Sequence, residues 1–213
     1  MKKSVFLSWC FTLFPALMLA APASAAESIN PTHIYLLNGK PVSPWGLSLG
    51  DAANWSVPVR DEQGESEGKK IAASPTVFNE EHKALSLVWN GRKKEYGSFG
   101  IFGAPIDLSA YKDAVALVLD IRVDRKPDKA VSLGMDCGYP CQGKMNIQRL
   151  LQKAPAKQWF SLPIPLNCIK GDNFDLTKIN APLTLGTDGR LEVSLLNVRL
   201  EKLQEGDASC KEE

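Results

Sequence analysis

The sequence predicts an all-β protein, a jelly-roll β-sandwich with one or two short helices, and three observations predict it. Short apolar runs recur along the chain, turn residues separate them at intervals of roughly eight to twelve residues, and only one segment has clear helical spacing.

The first feature in chain order stands outside that fold. Met1, Lys2 and Lys3 precede an apolar run from Val5 to Leu19, which ends in Ala23-Ser24-Ala25. A basic start, an apolar middle and a small-residue A-x-A end make residues 1–25 a secretory signal peptide. Ser8, Thr12 and Pro15 interrupt the run, which is shorter than the roughly 20 residues a membrane span needs. Cys10 follows Trp9, whereas a lipidated cysteine needs a small residue before it. The expectation is a bacterial protein of the periplasm or the medium, with no membrane span after cleavage. Residues 26–32 read as a linker, 33–203 as a single domain and 204–213 as a C-terminal tail.

The elements of the domain follow in order. Residues 34–37 form the first apolar run and Asn38-Gly39 the first turn. Residues 61–70, rich in Glu, Gly, Ser and Lys, read as a solvated loop. Residues 84–89 form a strand closed by Asn90-Gly91. The stretch from Gly97 to Gly103 lacks G-x-G-x-x-G spacing and no helix follows it, so it reads as a strand or edge loop with close backbone packing, not a phosphate loop. Residues 114–124 alternate cleanly, with Val115, Leu117, Leu119, Ile121 and Val123 on one face and Asp120, Arg122 and Asp124 on the other. Further runs fall at 130–135, 159–164, 183–185 and 191–200. Thr187-Asp188-Gly189-Arg190 sits between the last two as a hairpin turn would. Within the last run the apolar set Leu191, Val193, Leu195 changes phase to Leu196, Val198, Leu200, which predicts a bulge near Leu195. Residues 146–153 carry Ile147, Leu150 and Leu151 at helical spacing before Pro155, and a second short turn is expected over 175–179.

Charge and cysteine content narrow the partners. The chain has 25 basic and 24 acidic residues, and loss of Lys2 and Lys3 with the leader leaves 23 against 24. A neutral surface argues against nucleic acid and anionic membrane as partners. Cys137, Cys141, Cys168 and Cys210 remain, an even number in an oxidising compartment, which reads as disulfides. Four cysteines allow three pairings, and Cys137 with Cys141 plus Cys168 with Cys210 is preferred. A metal site on Cys137-x-x-x-Cys141 would need further ligands, but His33 and His82 are distant in sequence.

Catalytic chemistry finds little support. Neither histidine has a Ser or Cys nucleophile motif beside it. Asp120, Asp124 and Asp136 could be drawn as a glycosidase pair, but acids alternating with Arg122 on a strand read more simply as an outward, solvated face. The aromatics Trp45, Trp55, Trp89, Tyr96, Phe99, Tyr139 and Trp159 suit sugars better, because the C–H face of a sugar ring stacks on an aromatic ring. Asp136, Asn54, Gln142 and Arg92 offer donors and acceptors for hydroxyls. The candidate ligand-binding set is Trp55, Trp89, Asp136, Tyr139 and Gln142. Tyr139, between Gly138 and Pro140 in the cysteine loop, is expected to be exposed.

Several motifs then converge on one family: Pro44-Trp45-Gly46-Leu47-Ser48-Leu49-Gly50-Asp51, Asn54-Trp55-Ser56-Val57-Pro58-Val59, Leu87-Val88-Trp89-Asn90-Gly91, Gly134-Met135-Asp136-Cys137-Gly138-Tyr139-Pro140-Cys141, Trp159-Phe160-Ser161-Leu162, Pro165-Leu166-Asn167-Cys168 and Val198-Arg199-Leu200. In this order they resemble the ExoP-type galactose-binding-like domain, the C-terminal part of bacterial family-3 glycoside hydrolases. The likeness runs over about residues 33 to 201. It implies a galactose-binding-like jelly roll with a carbohydrate contact, binding a β-glucan or related poly- or oligosaccharide. The hydrolases' catalytic domains have no counterpart here, so their activity does not carry over. The alternative is a structural or protein-partner-binding envelope domain. No cofactor is implied; sandwiches of this type often hold a structural calcium, but no dense run of Asp marks a site for one. Cys210 lies beyond the family's usual end, where it would staple the tail to Cys168.

Overall fold

The structure is a computed structural model and describes residues 33–91, 94–203 and 210. The predicted signal peptide and linker, Arg92 and most of the C-terminal tail lie outside the described residues.

Two antiparallel sheets face each other. The first runs β12 (Trp159–Pro165), β9 (Val115–Arg125), β14 (Leu191–Lys202), β7 (Lys83–Trp89), β6 (Ile71–Val77), β5 (Gly64–Glu65), with β1 (Ile34–Leu37) on β14 and β2 (Lys40–Pro41) on β1. The second runs β11 (Gln142–Asn146), β10 (Val131–Asp136), β13 (Ala181–Thr187), β8 (Gly97–Phe102), β3 (Gly46–Asp51), β4 (Val57–Pro58). This is the expected all-β sandwich.

Alternation fills the space between the sheets. Leu117, Leu119, Ile121 and Val123 of β9 are buried, and Leu133, Met135, Leu183, Leu185, Phe99, Ile101, Leu47 and Leu49 meet them from the second sheet. The outward acids of β9 are paired on the far surface. Asp120 accepts from Ser161 Oγ at 2.7 Å, Asn197 Nδ2 at 2.8 Å and Arg199 Nη1 at 2.6 Å, while Asp124 accepts from Arg122 Nε at 2.7 Å and Ser194 Oγ at 2.7 Å. The phase change in β14 is resolved by a register shift between Leu195 and Asn197, where β9 continues as partner.

The helix is shorter than its periodicity suggests, α1 covering Gln148–Lys153, and a 3-10 turn over Leu176–Lys178 is capped by Asp175, whose carboxylate accepts from Thr177 N at 3.0 Å. Among the described residues no helix is long and apolar enough to cross a membrane.

Two expectations need correction. Thr187-Asp188-Gly189-Arg190 is not a hairpin, because β13 belongs to the second sheet and β14 to the first. The turn carries the chain between layers and is held by side chains, with Gly189 N donating to Thr187 Oγ1 at 3.0 Å and Arg190 N to Asp128 Oδ1 at 2.7 Å. Turn chemistry specifies a reversal, not the sheet the chain enters next. Residues 61–70 are not uniformly solvated either: they contain β5, and Ser66 and Lys70 are buried.

Both disulfides form in the preferred pairing, Cys137 with Cys141 and Cys168 with Cys210. The second closes a long loop that contains β13 and β14, so its loss is expected to cost about 2–4 kcal/mol through the unfolded chain's entropy. Chemical unfolding of Cys168→Ser/Cys210→Ser should show that decrease; a change under about 0.5 kcal/mol would mean that the bridge only tethers the terminus.

Candidate functional site

The outward face of the second sheet is built differently from that of the first. Its core-facing positions are large, and the positions between them are small or polar: Ser48 and Gly50 on β3, Ser98 and Gly100 on β8, Thr184 and Gly186 on β13, Gly134 on β10. Small residues lower the floor, and the result is a cleft of about 680 Å³ crossing the strands. At Gly100 a side chain would collide with the Phe102 ring, and at Gly186 with the Tyr96 hydroxyl, so these glycines let aromatic groups lie down on the sheet.

Two loops raise aromatic walls. Trp55 stands 60 % exposed in the connection from β3 to β4. Asp51, fully buried at the end of β3, shapes that loop: its Oδ1 accepts from Ala53 N at 3.0 Å and Asn54 N at 3.4 Å, and its own N–H donates to Asn54 O at 2.9 Å. Burial alone would raise the Asp51 carboxyl, but donors from Ser66, Ala53, Asn54 and Lys70 outweigh it and hold the group below its ordinary value. Tyr139, 97 % exposed, tops the reversal from β10 to β11. Asp136 pairs with Gln142 at the last rung, and the Cys137–Cys141 bridge closes the loop just above it. Cys137 N donates to Cys141 O at 2.9 Å and Cys141 N to Gly138 O at 2.8 Å, so the ring is presented on a stapled tip.

Between the walls lie Asp136, Gln142, Lys144 and Tyr96. Asp136 Oδ1 is buried and has no hydrogen-bond partner, an expensive state for an acceptor unless something else completes it. Burial raises the Asp136 carboxyl above its ordinary 3.8, and the Lys144 ammonium opposes that rise. The Tyr96 phenol is also raised, by burial first, which outweighs a hydrogen bond with Ser132, and then by the Asp136 charge.

Four of the five candidate residues, Trp55, Asp136, Tyr139 and Gln142, therefore line one cleft. Trp89 does not join them. It is 2 % exposed on β7 of the other sheet, and its Nε1 donates to Gly97 O at 2.9 Å inside the core. Trp45 and Phe99 are also core residues, and Trp159 lies on the first sheet's outer surface beneath Arg122. Phe102, Lys144, Thr184, Ser48 and Ser98 join the cleft without having been singled out from the sequence; the alternation of large with small residues along β3 and β8 was the available signal. Asp120 and Asp124 lie on the opposite sheet from Asp136, so these acids do not face one another. Among the described residues no three His, Cys, Asp or Glu side chains come together as a metal-binding group.

Fold and cleft together define a galactose-binding-like β-sandwich domain. The chain belongs to the Exop_C family, described as galactose-binding domain-like, which matches residues 43–200. No curated protein matches the chain. Among solved structures, it is similar to the extra C-terminal domain (X) of the exo-1,3/1,4-β-glucanase ExoP from a Pseudoalteromonas species, with 16 % identity, a TM-score of 0.65, and coverage of 84 % of this chain and 99 % of that domain. Against the whole glucanase the match takes in 20 % of that chain. The fold is also similar to the family 30 carbohydrate-binding module of a cellulosomal cellulase of Clostridium thermocellum, at 16 % identity and TM-score 0.58, covering 79 % of this chain and 95 % of that one. A family 11 carbohydrate-binding module from Clostridium thermocellum, solved with a β-1,3-1,4-mixed-linked tetrasaccharide, matches at 11 % identity and TM-score 0.50, covering 79 % and 94 %.

Proposed function

We propose that this domain is a non-catalytic, exported carbohydrate-binding module that takes a β-glucan or related saccharide across its second sheet. One observation carries the reading: two exposed rings, Trp55 and Tyr139, flank a floor that holds an unsatisfied buried acceptor, Asp136 Oδ1. Sugar rings supply what each lacks, a C–H face for the aromatics and a hydroxyl donor for the carboxylate. Gln142 and Lys144 add donors at the same edge. The fold shared with modules that bind saccharides supports the reading, as do the leader that the sequence predicts and two disulfides suited to a place outside the cytoplasm, in the periplasm or the medium.

Calorimetry with mixed-linkage β-glucan, laminarin and cello-oligosaccharides tests it, and heat of binding is expected with at least one. Silence across a broad glycan panel from folded protein, together with one stoichiometric partner recovered from periplasm, would replace it with a protein-docking role.

Asp136 also gives a pH signature. Its folded-state pKa is raised, so the protonated form favours the fold and the carboxylate costs stability as pH rises through that value. Binding has the opposite sign, because the carboxylate is the stronger acceptor. Affinity should fall as pH drops through the raised pKa. Asp136→Asn should bind about 10–100-fold more weakly at neutral pH, the equivalent of one charged hydrogen bond, with a melting midpoint no lower than the parent's. A variant that loses stability and keeps its affinity would remove Asp136 from the site.

A further inference from the structure

Lys70, the residue before β6, has no solvent exposure. Among the described residues its Nζ donates to the backbone carbonyls of Asp188 at 2.9 Å, Asn90 at 3.0 Å and Gly189 at 3.1 Å. An ammonium has three N–H donors and no acceptor, so it can serve three carbonyls at once, whereas a neutral amine could not serve all of them. The carbonyls come from two separate connections. Asn90 follows β7, and Asp188 and Gly189 form the turn that carries the chain from one sheet to the other.

The lysine's main chain is fixed in the same place. Its N–H donates to Ser66 Oγ at 3.0 Å, and its carbonyl accepts from Asn90 N at 2.8 Å. The aliphatic stem lies against Gly97, where any side chain would collide with it. A side chain so enclosed has one position for its charge. Burial and the nearby Lys129 ammonium work against the charge and hold the Lys70 amine below its ordinary value, while the Asp188, Asp128 and Glu95 carboxylates favour it. Neutral oxygens converging on one positive charge form the kind of donor set that hard cations take.

We propose that this carbonyl cage is the domain's structural cation site, filled from within by the Lys70 ammonium, and that a small hard cation takes its place when the side chain is shortened. The domain thus carries its own counterpart of a bound metal ion, and it ties three connections together without drawing on dissolved ions.

Thermal unfolding of the purified protein, Lys70→Ala and Lys70→Met in choline, potassium or calcium chloride at equal ionic strength tests this. The parent should keep one midpoint in all three salts and in EDTA. Both variants should melt roughly 5–15 °C lower, as expected for several buried carbonyls left unpaired. Lys70→Ala should regain at least half of that loss in potassium or calcium and none in choline, a cation too large to enter. Lys70→Met, whose stem still fills the space, should regain none. If Lys70→Ala does not fold in choline, a higher refolding yield in potassium or calcium supports the cage, and an equal yield in all three salts rejects it. A parent midpoint that falls in EDTA, a Lys70→Ala variant as stable as the parent, or one that no small cation restores would overturn the proposal.

Discussion

Trp55→Ala and Tyr139→Ala should each weaken mixed-linkage β-glucan binding by roughly 10–100-fold, and the double variant should bind too weakly for calorimetry to detect. Each ring is exposed in the free protein, so the apolar area it covers on binding is new burial, about 1.5–3 kcal/mol for a large side chain. Exposure also keeps the test clean. Neither ring supports the core, so truncation should leave stability within about 0.5 kcal/mol of the parent. A double variant that binds like the parent would move the site off this sheet.

Trp89→Ala should do the reverse. The ring is enclosed between the sheets and its Nε1–H serves Gly97 O, so truncation leaves a cavity and removes that hydrogen bond. The expected cost is about 3–5 kcal/mol, or a midpoint lower by roughly 6–20 °C. Molecules that remain folded should bind glycan with unchanged affinity, because Trp89 lies in the other sheet. A specific loss of affinity in a stable Trp89 variant would contradict the placement of the cleft.

These two variants also mark what sequence could and could not resolve. Strands β1, β7, β9, β10, β12, β13 and β14 were legible because they alternate or carry compact apolar runs. Strands β3, β6 and β11 were not. In β3 and β11 glycines and polar residues leave no compact apolar run, and in β6 Pro75 argues against a strand. Pro75 is tolerated because β5 pairs only with Ala72 and Ala73, leaving the proline's missing donor on an open edge. Trp55 and Trp89 each sit beside asparagine in a recognisable motif, and local sequence does not say which ring faces water. Burial is decided by the opposing sheet, which one strand's period cannot report. Tyr139 was easier, since glycine, proline and a nearby cysteine pair already describe a projecting tip. Lys70 was hidden for the opposite reason: a lysine among Glu, Gly and Ser looks solvated until the connections that cover it are in place.

The order of strands in the second sheet adds a length scale. The loop bearing Tyr139 rises from β10 and the loop bearing Trp55 from β3, with β13 and β8 between them. Three strand spacings, about 14 Å, separate the two supports across the sheet. The antiparallel registers set them at opposite strand ends, Asp51 level with Gly97, Thr187 and Val131 and Asp136 level with Ala181, so the walls stand further apart than that. A monosaccharide can therefore lean on one wall or the other, whereas only a chain of several residues bridges both. The sheet acts as a ruler: affinity should climb with oligosaccharide length until both rings are engaged, then level off.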